Sequence, residues 1–200
     1  MNTFTKCSDS SIRANLRAWR SRADSQDIKE GLSWYRDAHE FTKEVSEETG
    51  VDQLTAAGVL SALSPANKWE RNKFDAMNLC KAWSLGKSPD SVRCCTYNAN
   101  KRKAWAILEG DKEAFERSPK TWAFAHTIAT RSENCVVIDR WHARACLSRS
   151  KRRKEVQEAL TAKQYDRIER LTIEEAGKQG EVPYVFQAII WVTIKRSWES

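Results

Sequence analysis

The chain has 200 residues, with 34 Lys or Arg against 27 Asp or Glu, and a formal net charge of +7. Nine Trp and 40% apolar residues require a buried core, which excludes a mainly disordered chain. Only 7 Gly and 4 Pro are present, too few for a collagen-like chain or for the many turns of a β-sandwich. No apolar stretch is long enough to span a membrane, and the first residues predict no secretory signal, so we expect a cytoplasmic globular protein.

Hydrophobic spacing predicts a succession of helices in the first half of the chain. Ile12, Leu16 and Trp19 share one face of a short first helix. A run without any charge over 54–63 predicts a buried helix that Pro65 stops. The predicted helices of this half cover 12–19, 28–46, 54–63 and 69–83.

The second half of the chain continues the helical pattern. Its one strand-like piece is CVVI at 135–138, and the apolar segment 182–198 is long enough to favour a buried helix over a strand. The predicted helices here cover 98–108, 118–130, 140–149, 161–176 and 182–198. Eight to ten helices with little or no sheet define an all-α fold class.

The six cysteines form no C-x-x-C pair, and only three His accompany them. We therefore expect reduced thiols, several of them core residues, with no metal site and no cofactor.

Basic residues form three clusters in the sequence. Residues 140–154 contain seven Arg or Lys and no acid, 101–103 form a second cluster, and Arg13, Arg17 and Arg20 share a face of the first helix. A one-sided cationic surface attracts the phosphates of nucleic acids. The alternative is a solvated helix face with a basic loop, and the charge pattern leaves both open.

Asp139 carries the strongest local signal for chemistry. It follows an apolar approach, is the only acid between Glu133 and Glu155, and sits where a helix N-cap is expected. A lone carboxylate at that point suits a reaction that develops positive charge, such as cleavage of a glycosidic bond, and it can also orient a water nucleophile. The alternative is an Asp that only caps the helix.

Two further segments combine polar and aromatic side chains. After the buried helix, a loop leads to Asn67, Lys68, Trp69 and Arg71, a set that can wedge a duplex or hold an extruded base. A plain helix–helix connection explains the same residues.

Ser118-Pro119 predicts the start of a further helix, on which Lys120 is unfavourable for the helix dipole. Lys120 is therefore a candidate phosphate contact or amine nucleophile, or else a solvated lysine.

In chain order, these pieces resemble the helix–hairpin–helix DNA glycosylase superfamily of the endonuclease III type, and its small phage-encoded relatives. The resemblance spans about 50–147 and depends on the order of the motifs. Its family-like motifs are Leu60-Ser61-Ala62, Asn72, Tyr97-Asn98-Ala99-Asn100-Lys101, Lys120-Thr121-Trp122-Ala123 and the stretch from Asp139 to His142 and Arg144. The family's Gly-x-Gly hairpin and its four-cysteine iron–sulfur loop are absent.

The resemblance implies a two-lobed fold, with one lobe at about 50–135 and the other formed by 1–49 and 136–200. It implies that duplex DNA with one flipped base lies in a cleft between the lobes. Asp139 would then be the catalytic acid of a DNA glycosylase, a hydrolase, and Lys120 an amine nucleophile that adds strand nicking. The residues predicted to contact DNA are Asn67, Lys68, Trp69, Arg71, Ser118, Arg140, His142, Arg144, Lys151, Arg152 and Arg153.

Two alternatives stay open, and the missing Gly-x-Gly favours both. One is a transferase that modifies DNA bases on the same scaffold. The other is a non-catalytic phage protein that binds DNA or a host protein in the bacterial cytoplasm.

Overall fold

A computed structural model describes residues 4–149 and 159–199. Within these ranges the chain forms ten α-helices, one short 3-10 helix at Pro89–Ser91 and no strand, so the all-α prediction is confirmed. The α-helices are α1 (Asp9–Arg20), α2 (Ser25–Thr49), α3 (Gln53–Leu63), α4 (Trp69–Ser84), α5 (Asn98–Leu108), α6 (Lys112–Glu116), α7 (Pro119–Thr130), α8 (Arg140–Leu147), α9 (Ala162–Lys178) and α10 (Pro183–Glu199).

Local capping explains where several helices begin. The Asp52 carboxylate accepts from the Thr55 N–H at the start of α3. Thr161 and Gln164 form a reciprocal capping box at the start of α9. Ser118 precedes α7 as predicted, but its side chain makes no capping hydrogen bond.

The chain divides into two compact units, one formed by Met1–Arg36 with Ser132–Ser200 and the other by Asp37–Arg131. In the second unit, α3 is the central element and packs against α4, α5 and α7. Its residues 56–63 are all buried, which explains why this helix carries no charge.

In the first unit, α1 packs against α8, α9 and α10. The helix α10 supplies buried apolar side chains such as Phe186, Ile189 and Ile194. On α2, Gly31 lies so close to Ile189 that an added Cβ would stand 2.7 Å from the Ile189 Cα. This glycine therefore permits the close approach of α2 and α10.

Ion pairs neutralise the basic face of α1. Arg13 pairs with Glu174, the Arg17 Nη1 lies 3.0 Å from Glu175, and Arg20 lies 3.0 Å from Glu181. These acids belong to α9 and to the segment after it, more than 150 residues away in sequence. The prediction that this face is one of three cationic clusters is corrected, because its three arginines are paired with acids of the same unit.

The segment 135–138 is not a strand, although its β-branched residues favour one. Its backbone bonds to side chains of α9 instead of to a second strand. The Val136 N–H donates to Glu169 at 3.1 Å, and the Ile138 N–H donates to the Tyr165 hydroxyl at 3.2 Å. These contacts hold the backbone that leads directly into Asp139.

Candidate functional site around Asp139

Asp139 is the N-cap of α8, and both of its carboxylate oxygens accept hydrogen bonds. Its Oδ1 accepts from the His142 N–H at 2.8 Å, so the predicted cap is confirmed. Its Oδ2 accepts from the Trp191 indole N–H at 2.9 Å, and the residue is half-buried. Each oxygen can accept a second hydrogen bond, so the carboxylate is fixed in direction and keeps accepting capacity.

Side chains of α9 fix the approach to this carboxylate. The Tyr165 hydroxyl donates to the Val136 carbonyl at 3.3 Å while it accepts from Ile138. Burial raises the pKa of Tyr165, so the hydroxyl keeps the proton that it donates. The position of Asp139 therefore depends on packing between α8, α9 and α10 and not on its helix alone.

His142 has no exposed surface, which corrects the prediction that its side chain contacts DNA. Its Nε2 lies 3.0 Å from the Thr172 hydroxyl oxygen. That hydroxyl donates to the Ile168 carbonyl, so the proton between His142 and Thr172 belongs to the imidazole. Burial lowers the pKa of His142 to about 3, and the ring is neutral at physiological pH.

Four tryptophans and two cations lie in two groups next to Asp139, one that includes its hydrogen-bond donor Trp191 and one that includes Trp141 on the helix that Asp139 caps. The set spans α2, α8 and α10, and we call it the indole surface: Trp34, Trp141, Arg144, Trp191, Lys195 and Trp198. The Trp34 and Trp191 ring centroids lie 5.1 Å apart, and those of Trp141 and Trp198 lie 5.7 Å apart. All six residues are half-buried, so each presents part of its side chain to solvent.

The cations of the indole surface lie over aromatic rings. Arg144 contacts Trp141 at 4.7 Å and Trp198 at 5.3 Å from the ring centroids, and Lys195 contacts Trp191 at 4.8 Å. The exposed Arg140 lies 5.5 Å from Trp141. Within residues 4–149 and 159–199, neither Arg140 nor Lys195 has an ion-pair partner.

Sequence reasoning missed most of the indole surface. On α10, Trp191, Lys195 and Trp198 stand at i, i+4 and i+7, which places them on one face. That spacing was visible in the sequence, but the apolar composition of 182–198 predicted a helix buried on all sides. Trp34, 157 residues before Trp191, has no local signal that links it to this face.

Two of the predicted loop residues bind a buried carboxylate in the second unit. Asp75, whose side chain has no exposed surface, accepts from Arg71 Nε at 2.8 Å and from Asn67 Nδ2 at 3.1 Å. It also accepts from the Cys95 N–H at 2.7 Å. Asn67 and Arg71 therefore hold the loop before α4 in place, and sequence reasoning did not identify Asp75 as their partner.

Replacing Asp75 with Asn is expected to lower the free energy of unfolding by about 2 kcal/mol, because an amide cannot accept from all three donors and presents its own N–H₂ to one of them. Urea denaturation of the purified variant measures this. Asp90→Asn, at an exposed aspartate of the same unit, is the matched control and should unfold like the parent. An Asp75→Asn midpoint equal to that of the control would contradict this role.

The remaining predicted residues have varied surroundings. Lys68 and Lys120 are exposed, and Trp69 is half-buried. The Ser118 hydroxyl accepts from Thr121 at 3.1 Å. Lys151, Arg152 and Arg153 lie outside the described residues. Asn67, Lys68, Trp69, Arg71, Ser118 and Lys120 belong to the second unit, whereas Asp139, Arg140, His142 and Arg144 belong to the first.

The described residues contain no group of three or more His, Cys, Asp or Glu side chains arranged to hold a metal ion. None of the helices within 4–149 and 159–199 has the length and apolar character of a membrane span.

The fold and the site together define an all-α protein with a half-buried carboxylate beside a tryptophan-rich, cationic surface. Comparison with family models places the chain in DUF7178, a family of unknown function, whose model matches residues 2–198. The chain therefore belongs to this family. No curated protein and no solved structure gave a significant match.

Proposed function

We propose that the protein binds DNA and cleaves the N-glycosidic bond of an extruded nucleotide, with Asp139 as the catalytic carboxylate. One observation carries the proposal. Asp139 is half-buried, and its carboxylate is oriented by two N–H donors, one of them the Trp191 indole. Lys195, which has no acidic partner within the described residues, lies over that indole ring. Sugars and bases pack on aromatic rings, and phosphates pair with such cations.

The chemistry needs no group beyond this carboxylate and water. As the bond between the sugar C1′ and the base nitrogen lengthens, positive charge develops on the sugar, and a carboxylate nearby stabilises it. The electron pair of the broken bond leaves with the base, which takes up a proton. A water molecule directed by Asp139 adds its oxygen to C1′ and loses a proton, which leaves an abasic site. Lys120 stays a prediction as the amine of a strand-nicking variant of this reaction.

Asp139→Asn is expected to reduce base release at least about a hundredfold while leaving DNA binding within about twofold of the parent. Asn retains a carbonyl oxygen for the His142 N–H and is a good N-cap, so the fold should persist although the hydrogen bond from the Trp191 indole is lost. The measurement is base release from a panel of duplexes with modified or damaged bases. Asp52→Asn, the same change at the N-cap of α3, is the matched control and should keep full activity.

Equal base release by Asp139→Asn and by the parent would remove Asp139 from the mechanism. Mass spectrometry of the treated DNA separates excision from group transfer, since transfer leaves a heavier base in place. A parent protein that binds DNA and changes no base on the panel would favour the non-catalytic alternative. The observation that supports this alternative is that both Asp139 oxygens already serve the helix cap and the Trp191 indole.

A further inference from the structure

We propose that Lys103 is an amine nucleophile that binds an aldehyde covalently as an imine, at a site that it forms with the hydroxyls of Thr121 and Ser118. The site belongs to the second unit and joins α5, which carries Lys103, to the start of α7. The inference does not depend on the reaction proposed for Asp139. It also concerns a different lysine from Lys120, whose side chain is exposed.

The surroundings of the Lys103 amine distinguish it from its neighbour on the same helix. Lys101 and Lys103 are both half-buried residues of α5. The Lys101 Nζ donates to the Val92 carbonyl at 2.7 Å, so its ammonium form is held by a short hydrogen bond. Within the described residues, the Lys103 Nζ has no acid as a partner, and its one polar contact is the Thr121 Oγ1 at 3.4 Å.

Two neutral hydroxyls adjoin this amine in a fixed order. Thr121 accepts from Lys103 and donates to the Ser118 Oγ at 3.1 Å, and Ser118 makes no capping hydrogen bond at the start of α7. The Thr121 carbonyl accepts from the buried Ser61 hydroxyl of α3 at 3.0 Å, which fixes the Thr121 backbone. A carboxylate beside the amine would hold it in its protonated form, whereas a neutral hydroxyl does so far less.

The burial of Lys103 favours the free amine. It lowers the pKa of this side chain, because an ammonium loses solvation when it is withdrawn from water. At neutral pH a larger fraction of this amine therefore carries a free electron pair than at a solvated lysine. Desolvation of this kind makes lysines nucleophilic toward carbonyl compounds. Since the residue is only half-buried, a small molecule can reach it.

Imine formation at Lys103 balances without an oxidant or a reductant. The Nζ electron pair attacks the carbonyl carbon, a C–N bond forms, and one amine proton passes to the carbonyl oxygen to give a carbinolamine. The second amine proton then leaves with that hydroxyl group as water, and a C=N bond remains. The Thr121 hydroxyl lies at hydrogen-bond distance from Nζ and can transfer these protons, and the half-buried Ser118 extends the chain of hydroxyls.

The test uses the full chain with two aldehydes, propanal and benzaldehyde, each followed by borohydride reduction of the imine to a stable secondary amine. Proteolysis and mass spectrometry then give the labelled fraction of each lysine. At a low concentration of aldehyde we expect Lys103 to be labelled at least about tenfold more than Lys101 and the exposed Lys87. A preference between the two probes identifies the aldehyde as aliphatic or aromatic.

Variants of Thr121 test the hydroxyl separately from the amine. Thr121→Val keeps the shape of the side chain and should lower the labelling of Lys103 at least about fivefold, because the loss of water then lacks its proton donor. Thr121→Ser restores the hydroxyl and should be labelled like the parent. Thr130→Val, at an exposed threonine of the same helix, is the matched control and should also be labelled like the parent.

Equal labelling of Lys103, Lys101 and Lys87 in the parent would overturn the proposal, and this comparison needs no variant to fold. Unchanged labelling of Lys103 in Thr121→Val would overturn it as well, since the hydroxyls are part of the site. Preferential labelling that Thr121→Val loses and Thr121→Ser retains supports it.

Discussion

Gly31→Ala is expected to destabilise the protein by about 3 kcal/mol, whereas Gly177→Ala is expected to stabilise it by about 0.5–1 kcal/mol. Gly31 lies in the interior of α2 and Gly177 in the last turn of α9, and Ala has the higher helix propensity at both positions. They differ in what surrounds them. The comparison therefore isolates the packing of α2 against α10.

A Cβ at Gly31 would lie 2.4 Å from the Ile189 Cγ1 and 2.7 Å and 2.8 Å from its Cα and N atoms. A side-chain atom can rotate away, but the two backbone atoms belong to the buried helix α10. The helices must therefore separate, which costs packing along their whole contact. No atom lies within 4 Å of a Cβ at Gly177, so Ala at that position gains propensity without a clash.

Urea denaturation of the two variants beside the parent measures both effects. Shifts of the midpoints in opposite directions support the close approach of α2 and α10. Two shifts of the same sign would contradict it. Separation of these helices should also widen the contact between the Trp34 and Trp191 rings, whose centroids lie 5.1 Å apart in the parent.

The helices were predictable from sequence because their signals are local. The uncharged run 54–63, the proline at 65 that stops it and the spacing of Ile12, Leu16 and Trp19 all lie within one or two turns of the residues that they define. The helix α6 was missed because five residues are too few for a hydrophobic period to be visible.

The partners of those helices were not predictable, because no local pattern records them. The arginines of α1 appear cationic in sequence and are neutralised by acids near the other end of the chain. The strand-like composition of 135–138 is real, but Glu169 and Tyr165 supply its hydrogen bonds. In each case tertiary contacts overrode a correct local preference.

In the candidate site, too, local features were predictable from sequence and contacts between distant residues were not. A helix start at Asp139 is a local property, and the sequence predicted it. The indole hydrogen bond from Trp191 joins residues 52 positions apart and could not be predicted. His142 follows Asp139 by three residues, where a helix turns a side chain toward its buried face as readily as toward solvent.

His142 makes the protein sensitive to acid, and the free energy of unfolding is expected to fall steadily from pH 6.5 toward pH 3. The pKa of the buried ring is lowered from 6.5 to about 3, while in the unfolded chain it returns to its ordinary value. Above pH 6.5 the ring is neutral in both the folded and the unfolded state, so it contributes no pH dependence to the free energy of unfolding. Between the two values only the unfolded state binds the proton, so stability decreases by about 1.4 kcal/mol per pH unit, or roughly 5 kcal/mol in all.

The acids on α1 and α9 act at the lower end of this range. Ion pairs with arginines lower the pKa of Asp9 and of Glu174. The stability that these pairs contribute is therefore present above the ordinary pKa of each carboxyl group, and it is lost as the pH falls through the lowered pKa. Between pH 6.5 and pH 5 these carboxylates keep their charge in both states. This upper window therefore separates the effect of His142 from theirs.

His142→Gln removes the titrating group and keeps an amide N–H that can donate to Thr172. The variant should be less stable than the parent at pH 7, because the amide fills the ring's space poorly, but its stability should be nearly flat between pH 6.5 and pH 5. Urea midpoints measured across that window give the two slopes. His126→Gln, at a half-buried histidine of α7, is the matched control and should keep the slope of the parent. Parallel curves for the parent and His142→Gln would show that the ring binds protons equally in the folded and unfolded states, and the buried neutral histidine behind Asp139 would have to be abandoned.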